Sequence, residues 1–310
     1  MTRLDELEKI HRQGGWYRFP KRTLLKLTGE DRLRFLNGQC TQKLQDLQVG
    51  QTRYACAVTA KGRLSGDFHV RISESALWLD AEDGLAESLM ERLDRYIIAD
   101  DVELADVSEE YALYHWVAPM QVNASETAIL SQSDRVGREG TDCLVPTDST
   151  AEQETRLDEA GFRISDALWD LLRLTAGYAR WGRELTETTL PPEALLEARA
   201  ISYDKGCYTG QEVISRIRSI GRVNQTLVGL KGPAGLKGGE ALQTAEGKAA
   251  GFVTSWIDLD ESHGLGLAYR KRTADDAAEL LVSNSDQTTL AICPLPFACS
   301  LRNSEQESSS

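Results

Sequence analysis

With 310 residues, 41% of them hydrophobic and 27% charged, the chain is long enough for two domains with buried cores. Its balance is that of an ordinary globular protein, not of a disordered or membrane-embedded one. A formal net charge of −13 disfavours non-specific attraction to nucleic acid or to an anionic membrane, so an anionic ligand needs a local basic site. No run reaches the length of a membrane span, and the start M-T-R-L-D-E-L-E-K-I-H-R mixes both charge signs without an apolar signal region, so a cytoplasmic protein is expected.

From Leu24 to Val107 short strand-like and helical periods alternate. A helix is expected over 30–37; R-Y-A-C-A-V-T (53–59) alternates as a strand, A-K-G-R is its turn, and L-S-G-D-F-H-V-R-I (64–72) returns as the second arm of a hairpin. A-L-W-L-D-A (76–81) reads as a further strand, followed by a helix on which Leu85, Leu89 and Leu93 share one face. V-E-L-A-D-V (102–107) and Y-A-L-Y-H-W-V-A (111–118) read as strands again. Between 119 and 165 the chain is richer in Ser, Thr, Asp and Glu, with one helix expected near 150–160, and a subdomain boundary is placed there. The segment 165–176 predicts a helix capped by Ser165, carrying Leu168, Leu171 and Leu172 on one face and stopped by Gly177.

In the last third, glycines punctuate short apolar-rich strands, the spacing of a small antiparallel barrel or sandwich. The polar end after Leu301, closing on three serines, is expected to be disordered. No internal repeat is evident.

The six cysteines, at 40, 56, 143, 207, 293 and 299, form no C-x-x-C pair and have no histidines at ligand spacing, so they read as free thiols and no local metal site is expected. Cys207 has the most particular setting, Y-D-K-G-C-Y-T-G-Q-E-V (203–213). Thr209 to Glu212 has the T-x-x-E form of a capping box, with Val213, Ile214 and Ile217 following at helical spacing. That would set Cys207 just ahead of a helix N-terminus, where free backbone N–H groups and Lys205 favour a thiolate. Five basic residues against two acidic ones between Arg199 and Arg222 add to this. The competing reading is a buried thiol filling the core, beside arginines on a solvated helix face.

K-G-C-Y-T-G-Q-E (205–212) resembles the signature of the YgfZ family of folate-binding proteins, which are implicated in iron–sulfur cluster assembly and repair and related to the T-protein (aminomethyltransferase) of glycine cleavage. L-L-K-L-T-G-E-D-R-L-R-F-L-N-G-Q (24–39), W-D-L-L-R-L-T-A-G-Y-A-R-W-G-R-E-L (169–185), L-P-P-E (190–193), G-F-V-T-S (251–255) and P-L-P-F (294–297) extend the resemblance to nearly the whole chain. It implies an α+β folate-binding unit of antiparallel sheets with helices over 1–222, in lobes of about 1–110 and 111–222, plus a small antiparallel β-barrel over 223–300. Tetrahydrofolate or a derivative would occupy a central opening. Matching segments carry over Trp181, Glu184, Glu193, Lys205, Tyr208 and Gln211 as folate contacts, and Cys207 with its neighbour Lys205 as the functional thiol site.

Three departures from the T-protein pattern argue against aminomethyl transfer. Thr175 stands where the T-protein has a glutamate in R-(I/L)-E-A-G, Gln211 stands where it has the arginine of K-G-x-F-x-G-R, and 77–88 holds no clean copy of its N-A…D stretch, Asp80, Asp83 and Glu87 being the carboxylates at hand. The expected function is that of a folate-dependent accessory factor for iron–sulfur enzymes. A one-carbon transferase and a scaffold with a vestigial cavity are the alternatives. The partners expected are a reduced folate and iron–sulfur client or assembly proteins, with no direct nucleic acid, no membrane and a monomeric state. One thiolate alone cannot hold a cluster.

Overall fold

The computed structural model describes residues 3–118, 124–283 and 288–297; Cys299 and the tail expected to be disordered (301–310) lie outside them. The fold is mixed α and β, with two antiparallel sheets and a closed six-stranded barrel.

The N-terminal part runs α1 (Arg3–Gln13), β1 (Gly15–Arg18), β2 (Arg22–Thr28), α2 (Arg32–Gln39), β3 (Thr52–Val58), β4 (Leu64–Ile72), β5 (Leu77–Glu82), α3 (Ala86–Asp94) and β6 (Glu103–Asp106). The first sheet has the order β3-β4-β5-β2-β6. Side chains alternate between its faces. One set, with Ala55, Phe68 and Val70, packs under Phe35 and Leu36 of α2 and Leu89 and Leu93 of α3. The hairpin expected around 60–63 is the β3–β4 pair, in register from Thr52↔Arg71 to Val58↔Leu64.

The second sheet comprises β7 (Tyr111–Val117), β8 (Ile129–Asp134) and β9 (Glu139–Pro146) in the order β1-β7-β9-β8, so β1 crosses over to pair with β7. α4 (Thr150–Ala160) covers one face, Leu157 meeting Trp16, Tyr114 and Val145. β8 and β9 lie in the polar stretch from which the sequence predicts only a helix. The reason is visible in β8, I-L-S-Q-S-D, whose buried positions are Ser131 and Ser133 while Leu130 is exposed. The alternation is present, but hydroxyls point inward.

α5 (Asp166–Ala176) has the ends the sequence predicts: Ser165 Oγ accepts from the Leu168 N–H, and Gly177 closes the helix at φ 73°. A connector with a short 3₁₀ turn (Pro191–Ala194) and α6 (Glu197–Ala200) leads to α7 (Gln211–Ile220). The barrel follows: β10 (Gln225–Pro233), β11 (Ala241–Gln243), β12 (Ala249–Asp258), β13 (His263–Lys271), β14 (Glu279–Val282) and β15 (Thr289–Cys293), closed in the order β10-β13-β12-β11-β14-β15. Of the two architectures the glycine spacing allows, the barrel forms. Leu227, Leu265 and Leu267 seat it on Leu171, Leu174 and Leu185 of α5 and the connector. Among the described residues no helix is long and apolar enough to cross a membrane.

Candidate functional site

The two sheets meet through a buried charge network. Asp80 on β5 and Asp142 on β9 are fully buried and bridged twice: Arg71 Nη2 lies 3.1 Å and 3.0 Å from them, and Arg135 Nη2 lies 2.6 Å from each. Arg22 adds a 2.9 Å bond to Asp80, and His115 Nδ1 lies 2.8 Å from Asp142. Burial alone would raise both carboxyls, but the arginines, Arg135 foremost, override it and hold both well below the usual carboxylate range. Asp80 is therefore committed to joining the sheets. Asp83 and Glu87, the other acids of that stretch, are exposed and line no part of the cleft described next.

Against this network opens a cleft where the two sheets, α5 and the connector converge. One wall is aromatic. The Tyr17 and Trp169 rings stack at 4.4 Å and 3°, with Phe19 edge-on to both at 5.0 and 5.1 Å. Five arginines line the cleft (Arg22, Arg135, Arg173, Arg180 and Arg199) against Asp67, Glu82 and Asp170. In an acidic chain this is a concentration of positive charge.

The floor comes from β4. Asp67, His69 and Arg71 are two residues apart, so all three leave the same face. Asp67 Oδ2 accepts from the Tyr54 hydroxyl at 2.9 Å, while its buried Oδ1 has no partner. Burial pushes this carboxyl up to about 6, against the lowering pull of the Tyr54 bond and Arg22. His69 Nδ1 lies 3.3 Å from Arg135 Nη1. A guanidinium only donates, so Nδ1 accepts and the ring proton sits on Nε2, which is buried and unpartnered. Burial and Arg135 hold His69 well below its ordinary value, hence neutral. The floor thus offers one free acceptor and one free donor side by side.

None of the seven residues singled out from the sequence lines this cleft. Glu184 stands directly behind it: buried, it takes Arg173 Nη1 at 3.0 Å, the Arg180 N–H at 3.0 Å and Ser255 Oγ at 2.5 Å, tying two cleft arginines to the barrel. Trp181 is half-buried between the core of the first sheet and that under the barrel. Glu193 accepts from the Leu190 N–H at 3.0 Å within the P-P-E turn. Lys205 is buried, its Nζ donating to the carbonyls of Asn37, Cys40 and Gln42 at 2.5, 2.7 and 2.8 Å. Tyr208 packs its ring 5.2 Å from that ammonium, with its own hydroxyl buried and unpartnered.

Gln211 opens α7, but the capping box does not form. Gly210, at φ 81°, is the N-cap, no side chain caps the helix, and Thr209 falls outside it. A glycine is required there, because a Cβ would collide with the Thr59 carbonyl. Cys207 is exposed, whereas Cys40, Cys56 and Cys143 are buried and Cys293 is intermediate. Lys205 is turned away from it, into the end of α2.

The sequence reading missed Asp67, His69 and Arg135, and counted Arg199 only as one member of a basic stretch. For the first two a signal existed: D-F-H-V-R sets three ionisable residues at alternating positions of one strand, so they share a face that apolar neighbours do not. Among the described residues no group of three or more His, Cys, Asp or Glu could hold a metal ion.

Residues 4–120 match the GCVT N-terminal domain. A putative chloroplastic transferase of Arabidopsis thaliana is 28% identical over 290 residues, spanning 84% of this chain and 66% of that relative's length. The tRNA-modifying protein YgfZ of Escherichia fergusonii is 26% identical over 299 residues, 89% of this chain and 90% of its own. The crystal structure of glycine cleavage system aminomethyltransferase T from Bartonella henselae superposes with a TM-score of 0.80 at 19% identity, over 94% of this chain and 89% of that one, which shows a common fold. The chain is thus similar to the GCVT N-terminal domain over residues 4–120 and to YgfZ over most of its length, and it has the fold of aminomethyltransferase T.

Proposed function

We propose that the cleft binds a reduced folate, tetrahydrofolate or a derivative, and that the protein serves iron–sulfur enzymes as an accessory factor in cluster assembly or repair, with Cys207 as its working thiol. The observation that carries the folate reading is the floor pair. A pterin edge presents amino and ring N–H donors beside a carbonyl acceptor, which complements Asp67 Oδ1 and the His69 Nε2–H. The Tyr17, Trp169 and Phe19 wall suits a flat ring, and the surrounding arginines suit carboxylates.

The accessory role rests on K-G-C-Y-T-G-Q-E and on Cys207 being exposed. YgfZ carries the name of a tRNA-modifying protein. With a net charge of −13, this chain would reach such a process through a protein client, as a cytoplasmic monomer, and not by gripping nucleic acid itself.

Calorimetry tests the folate half: tetrahydrofolate and 5-formyltetrahydrofolate should bind saturably, and Asp67→Asn should weaken both at least tenfold. No heat at millimolar ligand would end this reading. For the thiol, Cys207→Ser should keep folate affinity yet fail to restore iron–sulfur enzymes in cells lacking the protein, and full complementation would remove Cys207 from the function.

Asp67 itself favours a second reading, a folate-dependent aminomethyl transferase, because a cleft carboxyl titrating near 6 is suited to general acid–base work. Thr175 and Gln211 oppose it. Methylenetetrahydrofolate formation from an aminomethylated lipoyl carrier, lost in Asp67→Asn, would establish the transferase.

A further inference from the structure

We infer that α7 and the tip of the β3–β4 hairpin form a docking surface for an acidic amphipathic helix of a protein partner, seating that partner beside Cys207. This deepens the accessory reading, on which it rests, by naming the partner's chemistry and the face that receives it.

α7 commits little of its apolar side to the core. Ile214 is its one buried residue, Val213 and Ile217 are half-buried, and Ile220 is 70% exposed. Positions 213, 217 and 220 are spaced four and three apart, so they form one stripe along the helix. The hairpin tip flanks the start of that stripe, for a Cβ on Gly62 would meet Val213 Cγ1. Ala60, Lys61 and Arg63, around that glycine, are exposed. A partly uncovered apolar stripe beside a hairpin is a seat for the apolar face of a second helix.

The rim sets the charge of what sits there. Lys61 and Arg63 stand on the hairpin side, Arg216 on the opposite flank of the stripe, and Arg218 and Arg222 follow toward the end of the helix, all exposed. Among the described residues none of these cations forms an ion pair with a carboxylate; Arg218 lies 3.9 Å over the Tyr203 ring and Arg63 donates to the Thr188 carbonyl. Of the basic stretch in the sequence, Arg199 lines the cleft and Lys205 closes the end of α2. Arg216, Arg218 and Arg222 are left to this face. On a chain of net charge −13, such an excess favours an acidic partner and steers its approach.

An apolar middle inside a charged rim is the anatomy of a protein interface, whereas a phosphate chain asks for cations alone. A second copy docking through the same face would set like charges against each other. Cys207 lies four residues before the start of α7, hence within about 14 Å of it, so a helix seated on the stripe has the exposed thiol within reach.

The test uses a fluorescein-labelled peptide of about 18 residues, with leucine along one helical face and glutamate along the other. Wild type should bind it at low salt, affinity falling as salt rises. A scrambled peptide of the same composition should bind about tenfold more weakly, as should the designed peptide to Ile220→Asp. Arg216→Glu should cost about fivefold, while Arg12→Glu, the same charge change on α1, should cost nothing. Ile220 and Arg216 are exposed, so urea melts and tetrahydrofolate affinity should match wild type. In cells lacking the protein, Ile220→Asp should then fail to restore iron–sulfur enzymes. Equal binding of both peptides, or full complementation by Ile220→Asp where Cys207→Ser fails, overturns the docking surface and leaves the accessory reading standing. Peptide binding lost in Ile220→Asp, together with full complementation by Cys207→Ser, keeps the surface and removes the thiol. The docking inference also falls if an RNA oligonucleotide binds more tightly than the peptide and equally well to Ile220→Asp, or if sedimentation shows a dimer that Ile220→Asp dissolves.

Discussion

At the scale of single residues, the role proposed for Asp67 would couple ligand binding to stability through one carboxyl. Its folded value, about 6, lies above the ordinary 3.8. Here the folded state holds the proton more tightly than the unfolded one, so stability falls as pH rises from about 4 to 6, and the cost is complete above that. Two units correspond to roughly 3 kcal/mol as an upper bound. Asp67→Asn keeps an oxygen for the Tyr54 hydroxyl and removes the charge. Urea melts should show it more stable than wild type by about 1–3 kcal/mol at pH 7.5 and no more stable at pH 4. Folate affinity should run the other way, dropping about tenfold per unit below pH 6 in wild type as the acceptor is protonated. A flat affinity profile from pH 5 to 8 would mean that Asp67 does not meet the ligand. The thiols differ by access. Burial pushes Cys143 up to about 12 and raises Cys40 and Cys56, so limiting iodoacetamide should label exposed Cys207 ahead of these three, as read by peptide mass spectrometry.

At the scale of elements, α5 and the β3–β4 hairpin were legible because patterning, caps and packing agree along one stretch of chain. β8 was not, because Ser131 and Ser133 face a charge network that only the other sheet completes. T-x-x-E misled for a local reason: Gly210 must take a left-handed conformation under the Thr59 carbonyl, and the helix then starts one residue beyond Thr209's reach. Lys205 was read as an electrostatic neighbour of Cys207, but its ammonium closes the C-terminal end of α2 across a separation of more than 160 residues. No local pattern announces such a contact. Burial lowers the pKa of Lys205, yet three carbonyls depend on its protons. Lys205→Met fills the space and leaves them unpaired, which should cost about 2–4 kcal/mol in denaturant melts and loosen the segment carrying Cys207. A variant as stable as wild type, with unchanged labelling of Cys207, would show that the tether does not matter.

At the scale of the whole molecule, the cleft draws on Tyr17, Asp67, Arg135, Trp169 and Arg199, residues spread over most of the two-sheet part of the chain, so its composition belongs to the topology more than to any motif. β1 delivers Tyr17 because it crosses to pair with β7, and the barrel contributes no lining residue although it touches the site through Glu184. Arg173 donates both to Glu184 and, at 3.3 Å, to Ser255 of β12, and the Tyr269 hydroxyl of β13 reaches the Glu184 carbonyl at 2.9 Å. Under the folate proposal Glu184 is a positioning residue, acting on ligand through Arg173 and the backbone of Arg180. Glu184→Gln keeps the shape, removes the charge that holds Arg173, and should lower stability by about 2–4 kcal/mol. A structural loss alone would leave the folded fraction binding folate normally. Positioning predicts more: measured at a temperature where both proteins are folded, affinity for tetrahydrofolate should fall several-fold and its salt dependence should steepen, as Arg173 is freed to meet the ligand's carboxylates from a less fixed position. Ser255→Ala, which removes a neutral link and leaves the ion pair, should lose stability with little change in affinity. If both variants bind as wild type does, the barrel supports the cleft without tuning it.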